Sequence, residues 1–412
     1  MKKKPAKKNR GTQKNNHKKR NYIIIFFSSF FLAVLIGSLF LSALYLIRII
    51  EKSEKTEILN DALASGQTQE IGVIPFPGTE PEVKQDTVEI SETIQDESVT
   101  FSFAGDVMFD DSYSIMNYYR STGGNVSECF DQELLDMMKQ ADVFMVNNEC
   151  TFTNRGVPTE GKAYTFRSAP ENVRILKDMG VDVVSLANNH AYDYGELSIL
   201  DTMATLEAAG VGFVGAGENI EEAKEPLYFE AGGTKVAVVA ATQIERMSNP
   251  DTKGATEDAP GVLRCFEPEL VCEVIRTAKE NADFVIVYVH WGVENTTEID
   301  WAQRDQAILF EGAGADLIVG DHPHCLQGMT YVNDTPVIYS LGNFWFNSKT
   351  VDTGLLQISV KGDRLEQLRF IPCRQQSCRT QLLSGQDKEN VLNQIKTLSP
   401  GVIIDEDGNI TS

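Results

Sequence analysis

The chain of 412 residues contains no C-x-x-C pair, and its seven cysteines are spread between positions 129 and 378. Structural zinc motifs built from paired cysteines are therefore excluded. Outside the cell some thiols could pair, with Cys373 and Cys378 as the nearest candidates, and the odd total leaves at least one thiol unpaired. The length allows one large or two ordinary domains with a core that needs no covalent cross-links.

Acidic side chains are absent from the first 50 residues, which contain eleven lysines and arginines. The rest of the chain has the other 26 of the 37 basic side chains against all 59 acidic ones, a difference of −33 with histidine neutral. Such an acidic body is not expected to bind nucleic acid by neutralising its phosphates. It is the charge expected of a domain that lies outside the cell and faces a carboxylate-rich wall.

Residues 1–20 are basic and low in complexity, and residues 22–47 are almost entirely apolar and carry no charge. At about 1.5 Å per residue this apolar stretch is long enough to cross a bilayer. A cleaved signal peptide would have a shorter apolar segment and small residues at its exit, and the basic flank disfavours a buried core helix. We therefore expect a cytoplasmic tail over 1–20, an uncleaved transmembrane signal anchor over 21–50, and the rest of the chain outside the cell.

Residues 51–98 are acidic, lack periodicity and contain three closely spaced prolines, so we expect a disordered stalk there. The main domain is predicted over 99–375, where β-branched runs typical of strands buried on both faces alternate with amphipathic helices. A C-terminal extension over 376–412 is expected to contain one helix, at 387–398, and to fray over its last dozen residues.

The pattern of the main domain predicts a mixed α/β fold. Strands are expected at 99–104, 142–146, 181–186, 235–241, 284–289 and 317–319, and helices at 132–139, 170–179, 197–209, 268–281 and 301–312. Beyond residue 328 three further strands, at 336–340, 355–360 and 365–371, follow without an intervening helix and indicate a second sheet. Two sheets packed face to face with helices outside would accommodate all these elements.

Polar clusters follow five predicted strands at the point where each ends. They contain four of the five histidines, and their metal-ligand candidates are Asp106, Glu149, Asn189, His290, His322 and His324. Because the carboxyl ends of parallel strands meet at one edge of a sheet, we expect these side chains to lie together. Carboxylate, amide and imidazole donors suit Zn²⁺, Mn²⁺ or Fe and are too rich in nitrogen for a dedicated Ca²⁺ site.

Each cluster also has a structural interpretation. Asp106 could cap a helix, Asn188 and Asn189 could form a turn, and His290 could be a core histidine with satisfied hydrogen bonds. The His322-Pro323-His324 segment is harder to explain in that way, because two imidazoles held one residue apart by a proline have little structural use. The joint occurrence of four such histidines favours a metal site.

A series of short motifs over roughly 99–345 resembles the capsule synthesis protein CapA family of poly-γ-glutamate-producing bacteria. These motifs are Gly105-Asp106, Asn147-x-Glu149, Ala187-Asn188-Asn189-His190, His290-Trp291-Gly292, Gly320-x-His322-Pro323-His324 and Ser340-Leu341-Gly342-Asn343-Phe344. The family is similar to the calcineurin-like metallophosphoesterases. The resemblance therefore implies a metallophosphoesterase-like sandwich of two β-sheets flanked by helices, preceded here by one transmembrane helix.

The resemblance also implies roles for the clustered residues. Asp106 and His324 would hold a first metal ion, Glu149 would bridge, and the ligands of a second ion would be Asn189, His290 and His322. His190 would stay uncoordinated and act as the catalytic general acid. One or two divalent ions of Mn, Zn or Fe are expected per chain.

Two departures from the phosphoesterase pattern affect the first metal position. Met108 stands where that pattern has a histidine, and the bridging residue Glu149 is one methylene longer than the usual aspartate. A site with one metal ion, or none, is therefore the alternative. Arg167 and Asn188 are expected to bind substrate, with Arg167 suited to bidentate contact with an anion, although an arginine on a loop is often only solvated.

Three functions stay open on this basis. The first is a membrane-anchored protein that supports synthesis, export or attachment of an anionic surface polymer such as poly-γ-glutamate, with a hydrolase-derived metal pocket. The second is a non-catalytic subunit of a membrane polymer-synthase complex, in which the pocket only binds polymer. The third is an extracytoplasmic metal-dependent phosphoesterase. The expected partners are the membrane, the polymer and membrane synthase subunits.

Overall fold

A computed structural model of the chain describes residues 98–244 and 252–412. The predicted tail and anchor, and the predicted stalk up to residue 97, lie outside the described residues. Within the described part of the chain, no helix is both long and apolar enough to cross a membrane. The described residues belong to one compact unit, Ile90–Ser412, which includes the C-terminal extension.

Strands and helices alternate over most of this unit. The strands are β1 (Val99–Val107), β2 (Val143–Asn148), β3 (Thr151–Phe152), β4 (Arg167–Ser168), β5 (Val183–Ser185), β6 (Gly212–Val214), β7 (Ala216–Gly217), β8 (Leu227–Ala231), β9 (Thr234–Thr242), β10 (Gly261–Val262), β11 (Phe284–His290), β12 (Leu317–Asp321), β13 (Met329–Val332), β14 (Thr335–Ile338), β15 (Asn343–Trp345), β16 (Val351–Lys361), β17 (Arg364–Gln376), β18 (Arg379–Leu382), β19 (Ile403–Ile404) and β20 (Ile410–Thr411).

The α-helices are α1 (Ser114–Ser121), α2 (Gln132–Gln140), α3 (Arg174–Met179), α4 (Glu196–Ala209), α5 (Ile220–Ala223), α6 (Glu269–Asn281), α7 (Trp301–Ala313) and α8 (Gly385–Leu398). Short 3₁₀ helices lie at Val126–Glu128 and Pro170–Val173. Helix α7 begins where the side chain of Asp300 accepts from the backbone of Gln303 and the Gln303 side chain accepts from the backbone of Asp300. Each of the six helices predicted beyond residue 98 is present, although the predicted helix at 170–179 starts as a 3₁₀ turn.

Two mixed sheets form the centre of the fold. The first has the order β18-β17-β16-β1-β2-β5-β6 with β15 also paired to β1, and the second has the order β13-β14-β12-β11-β9-β8. Strands β1, β2, β5 and β6 are parallel to one another, as are β9, β11, β12 and β14. The expected grouping of the late strands is wrong, because β14 joins the second sheet beside β12 whereas β16 and β17 complete the first sheet beside β1.

The two sheets pack face to face, with helices on both outer faces. Phe103 of β1 contributes to the core between the sheets, where its ring lies 6.2 Å from that of Tyr288 on β11, whereas the next residue, Ala104, faces the outer core. Helices α1 to α4 pack on the outer face of the first sheet, and α6 and α7 on that of the second. The arrangement is a four-layer α/β/β/α sandwich.

The C-terminal extension is part of the packed core, so the expectation that its end frays is wrong. Helix α8 buries Val391, Leu392 and Ile395 in the core between the sheets. Strand β19 then pairs with β20, and Ile404 and Ile410 are buried. Cys373 and Cys378, the nearest candidates for a disulfide, are not paired: all seven cysteines are free thiols, and six of them are buried.

Candidate metal centre

The carboxyl ends of four parallel strands bring the polar clusters together. Strands β1 and β2 pair Asp106 with Asn147, two residues before Glu149, and β11 and β12 pair His290 with Asp321. Each of these five residues is at most 1% exposed. Since the two pairs come from different sheets, the site lies where the carboxyl ends of the inner strands of both sheets meet.

One group of donor atoms surrounds the Nε2 atom of His290, and we call it the His290 cluster. This nitrogen lies 2.8 Å from Oδ1 of Asn189, 3.0 Å from Nδ1 of His322 and 3.5 Å from Oε1 of Glu149. The four residues come from four separate segments of the chain. Two nitrogens and two oxygens that converge in this way form a donor set suitable for a transition-metal ion.

A second group surrounds the Nδ1 atom of His324, and we call it the Asp106 cluster. This nitrogen lies 3.1 Å from Oδ2 of Asp106 and 2.8 Å from Oδ1 of Asn343. The side-chain amide of Asn147 links the two clusters, because its nitrogen donates to Asp106 Oδ1 at 2.9 Å and to Glu149 Oε1 at 3.0 Å. The two clusters therefore form one continuous centre.

Two carboxylate oxygens in this centre find no hydrogen-bond partner among the described residues. Oε2 of Glu149 and Oδ2 of Asp321 are fully buried, and neither makes a hydrogen bond within the described part of the chain. Leaving a buried carboxylate oxygen unpaired is unfavourable. Ligand atoms of Asp106, Glu149 and His290 also lie within 4.8 Å of one another. A divalent cation among them would compensate the buried negative charge, so the residues present fit a metal ion.

Burial shifts the protonation of the central groups. It raises the pKa of Glu149 and of Asp321 well above their usual values, and the charge of Asp106 raises both further. Burial lowers the pKa of His290 to about 3 and that of His322 well below its usual value. Both imidazoles are therefore neutral near pH 7, which is the form that binds metal ions.

Asp106 and His324 stabilise each other's charged forms. Burial disfavours the charge on each, but their mutual hydrogen bond and attraction outweigh it, so the pKa of Asp106 is lowered and that of His324 is raised. The proton on His324 thus balances the carboxylate charge of Asp106. A bound cation could take over that role.

Asp321 orients the imidazole of His290. Its Oδ1 lies 2.8 Å from the Nδ1 of His290, which leaves the Nε2 directed into the cluster. Carboxylate groups commonly hold metal-binding histidines in this way. The sequence prediction did not include Asp321, although it immediately precedes His322 in the same strand-end cluster.

His190 lies at the edge of the centre and is held by Asp193. Its Nδ1 is 2.8 Å from Oδ2 of Asp193, and the ring packs on Phe166 with ring centroids 4.4 Å apart. Asp193 also forms an ion pair with Lys162, whose side chain is only 4% exposed and whose amine donates to the backbone carbonyl of Asn189. Burial and the nearby Lys162 charge lower the pKa of His190, although Asp193 opposes that shift.

Asn188 connects the strand ends within the protein. Its amide nitrogen donates to Oδ1 of Asn147 at 2.9 Å and to the carbonyl of Asn148 at 3.0 Å, and its oxygen accepts from the backbone of His190 at 2.8 Å. Both hydrogens of the amide are therefore used inside the protein. The contacts of Asn188 are those of a residue that positions His190.

Arg167 lies outside both clusters. Its guanidinium stacks over the ring of Tyr194, 4.3 Å from the centroid. Both residues line a cavity of about 270 Å³ together with Asp110, Asp111, Ser112, Thr153, Asn154 and Ala169. The predicted ligands do not line this cavity, but Arg167 follows Phe166, the residue that packs on His190.

Comparison with known proteins gives a family match over most of the described domain. Residues 100–348 match the family described as bacterial capsule synthesis protein PGA_cap. The PGA biosynthesis protein CapA of Bacillus subtilis (strain 168) is 33% identical over 278 residues, which cover 65% of this chain and 70% of that protein. The capsule biosynthesis protein CapA of Bacillus anthracis is 34% identical over 244 residues, covering 57% of this chain and 58% of that protein.

Two solved structures have weaker similarity. A hypothetical protein from Thermus thermophilus has a TM-score of 0.42 and 16% identity, and the match covers 67% of this chain and 100% of that one. The sulfate thiohydrolase SoxB of the same organism has a TM-score of 0.38 and 15% identity, covering 73% of this chain and 60% of that one.

Proposed function

The chain belongs to the bacterial capsule synthesis protein PGA_cap family, and on this premise we propose that it is a membrane-anchored, extracytoplasmic protein that supports synthesis, export or attachment of poly-γ-glutamate. The names of its Bacillus relatives, which refer to PGA and capsule biosynthesis, support the choice of polymer. The uncharged apolar stretch at 22–47, flanked by basic residues, supports the anchor. Other partners in this proposal are subunits of a membrane synthase.

The convergence of the His290 and Asp106 clusters on Glu149 is the observation that carries a metal-dependent role. In this proposal Asp106 and His324 would hold a first divalent ion of Mn, Zn or Fe, Glu149 would bridge, and Asn189, His290 and His322 would hold a second. The ions would polarise the carbonyl or phosphoryl oxygen of the bond that is cleaved or transferred. Arg167 would bind a carboxylate of the polymer from its neighbouring cavity.

The pairing of His190 with Asp193 favours a hydrolase or transferase over a purely binding role. Asp193 holds one ring nitrogen of His190, so the other nitrogen would be available to accept a proton from the attacking group and then pass it to a leaving group. The buried Lys162 would compensate the charge of Asp193 without contacting the substrate. A site that only bound polymer would not need an oriented imidazole.

Metal analysis of the full-length protein tests the metal centre. The parent is expected to contain one or two transition metal ions per chain, and a His290→Ala/His322→Ala double variant is expected to lose the ion of the His290 cluster and so to contain less metal. His17→Ala is the matched control, because it removes the histidine that lies outside the domain. Equal metal content in the parent and the double variant would refute a metal-dependent function.

Turnover separates the catalytic from the non-catalytic form of the proposal. Metal-loaded parent protein is assayed on a generic phosphoester and on a γ-glutamyl amide, and His190→Ala is expected to lower turnover about a hundredfold while its metal content holds. Turnover of the phosphoester alone would favour an extracytoplasmic phosphoesterase. Failure of both substrates in the metal-loaded parent would favour a non-catalytic subunit of the synthase.

A further inference from the structure

The first metal position lacks an imidazole at residue 108, and the structure shows that Met108 does not replace it. The thioether sulfur of Met108 accepts a hydrogen bond from the backbone nitrogen of Asp110 at 3.0 Å, and the side chain is fully buried in the outer core. Without this residue, the position is left with Asp106, His324 and the bridging Glu149. Three protein ligands, of which one is shared, would leave the position open to a further donor.

Strand β15 places another donor at this position. It pairs with β1 in parallel, with Asn343 directly opposite Asp106. The two backbones approach closely, because a Cβ atom on Gly105 would lie 1.9 Å from the carbonyl oxygen of Gly342, which accepts from the backbone nitrogen of Asp106 at 3.1 Å. Gly342 has a φ of +69°, which favours glycine. Two glycines therefore set the position of Asn343.

The side chain of Asn343 is directed into the Asp106 cluster. It is 4% exposed, and its Oδ1 lies 2.8 Å from the same Nδ1 of His324 that contacts Asp106 Oδ2 at 3.1 Å. Two oxygens thus converge on one imidazole nitrogen. A divalent cation in place of the shared proton would meet both oxygens and the nitrogen.

We propose that Asn343 is a ligand of the first metal position, and that its amide oxygen makes this position discriminate less strongly against Mn²⁺ relative to Zn²⁺ than the nitrogen-richer His290 cluster does. The inference rests on the proposed metal centre. The first position would then have oxygens from Asp106, Glu149 and Asn343 with one nitrogen, whereas the His290 cluster has two nitrogens and two oxygens. Carboxylate and carbonyl oxygens suit Mn²⁺, and imidazoles suit Zn²⁺.

Titration of the metal-free, full-length protein with MnCl₂ tests this assignment, with bound ions counted by calorimetry and by the electron paramagnetic resonance signal of free Mn²⁺. The parent is expected to bind two ions. Asn343→Leu is expected to weaken one of them about tenfold or more, whereas Asn343→Asp, which keeps an oxygen donor, retains both. Asn347→Leu is the matched control, because the side-chain oxygen of Asn347 accepts from the backbone of Lys349 and the side chain of Gln375, neither of which belongs to the two clusters.

A competition experiment tests the selectivity. Asn343→His supplies an imidazole at the first metal position. This variant is expected to bind Zn²⁺ more tightly relative to Mn²⁺ at that position than the parent does. His322→Ala should weaken the other ion and leave the Asn343-dependent ion in place. Circular dichroism melts of each metal-free variant show whether the fold is retained.

The outcomes separate the inference from the proposed function. If the parent binds two ions and folded Asn343→Leu binds both as tightly, Asn343 is not a ligand and the inference fails alone. If the parent binds one ion that only His322→Ala removes, the first position is not a metal site, and the inference fails while the metal centre stands. If the parent binds none, the metal centre itself fails.

Discussion

Glu149 is buried and one of its carboxylate oxygens lacks a hydrogen-bond partner among the described residues, and both properties disfavour its ionised form in the metal-free protein. It is completely buried beside Asp106 and Asp321, and its Oε2 has no hydrogen-bond partner in the described part of the chain. Its raised pKa means that the folded protein binds a proton here more tightly than the unfolded chain does. Glu149 therefore stabilises the metal-free fold only at low pH, and its cost grows as the pH rises above the ordinary value of the group.

Replacing Glu149 should therefore separate stability from metal binding. We expect Glu149→Gln to raise the melting temperature of the metal-free protein. The gain should be small near pH 4.5 and grow towards neutral pH, because the carboxyl of the parent then ionises readily in the unfolded chain but not in the folded protein. Added Mn²⁺ should raise the melting temperature of the parent and have little effect on the variant. Calorimetry at several pH values measures both, and a pH-independent difference would contradict the electrostatic argument.

Some of these residues could be predicted from the sequence and others could not. His290, His322 and His324 follow apolar runs, so the convergence of parallel strand ends predicts that they meet. Lys162 reaches Asp193 from a loop without periodicity, and nothing distinguishes it from a solvated lysine until the fold buries it. Asp193 forms its bond to His190 through a local turn whose geometry the residue types alone do not determine.

The close approach of strands β1 and β15 leads to a prediction for these elements. Gly105→Ala would place a Cβ against the backbone oxygen of Gly342, so the two strands would have to separate. We expect a lower melting temperature and a loss of metal binding, because Asp106 would move with β1. The matched control is Gly312→Ala in helix α7, where a Cβ meets no atom within 4 Å and a slight gain in stability is expected. Equal metal binding in both variants would show that the strands can adjust.

Helix α8 was predicted from its sequence, but its contribution to the core was not. The residues after it are rich in polar groups and glycine, which is typical of a frayed end, yet Ile404 and Ile410 lie on a hairpin that closes against the core between the sheets. Likewise, the run of late strands gave no sign that β14 and β16 belong to different sheets. The packing of the hairpin and the sheet to which each late strand belongs both depend on pairing between distant segments, which the local sequence pattern does not predict.

A truncation in helix α8 should therefore destabilise the whole domain. Leu392 is 2% exposed between the sheets, and we expect Leu392→Ala to lower the free energy of unfolding by about 2–5 kcal/mol. Gln394→Ala, on the exposed face of the same helix, should change it little. Chemical denaturation of the two variants measures the difference. Equal stability would mean that the extension does not contribute to the core.

At the scale of the whole molecule, the distribution of charge predicts where the domain resides. The basic residues before the apolar stretch at 22–47 would stay in the cytoplasm, and the acidic remainder of the chain would be exported. We expect the full-length protein to sediment with membranes and to resist extraction by salt and alkali, and protease added to cells with a permeable wall should digest the domain. Deletion of residues 1–50 should release the protein into the soluble fraction. A full-length protein found in the soluble fraction would contradict the anchor. A membrane-bound protein whose domain external protease does not reach would contradict the orientation.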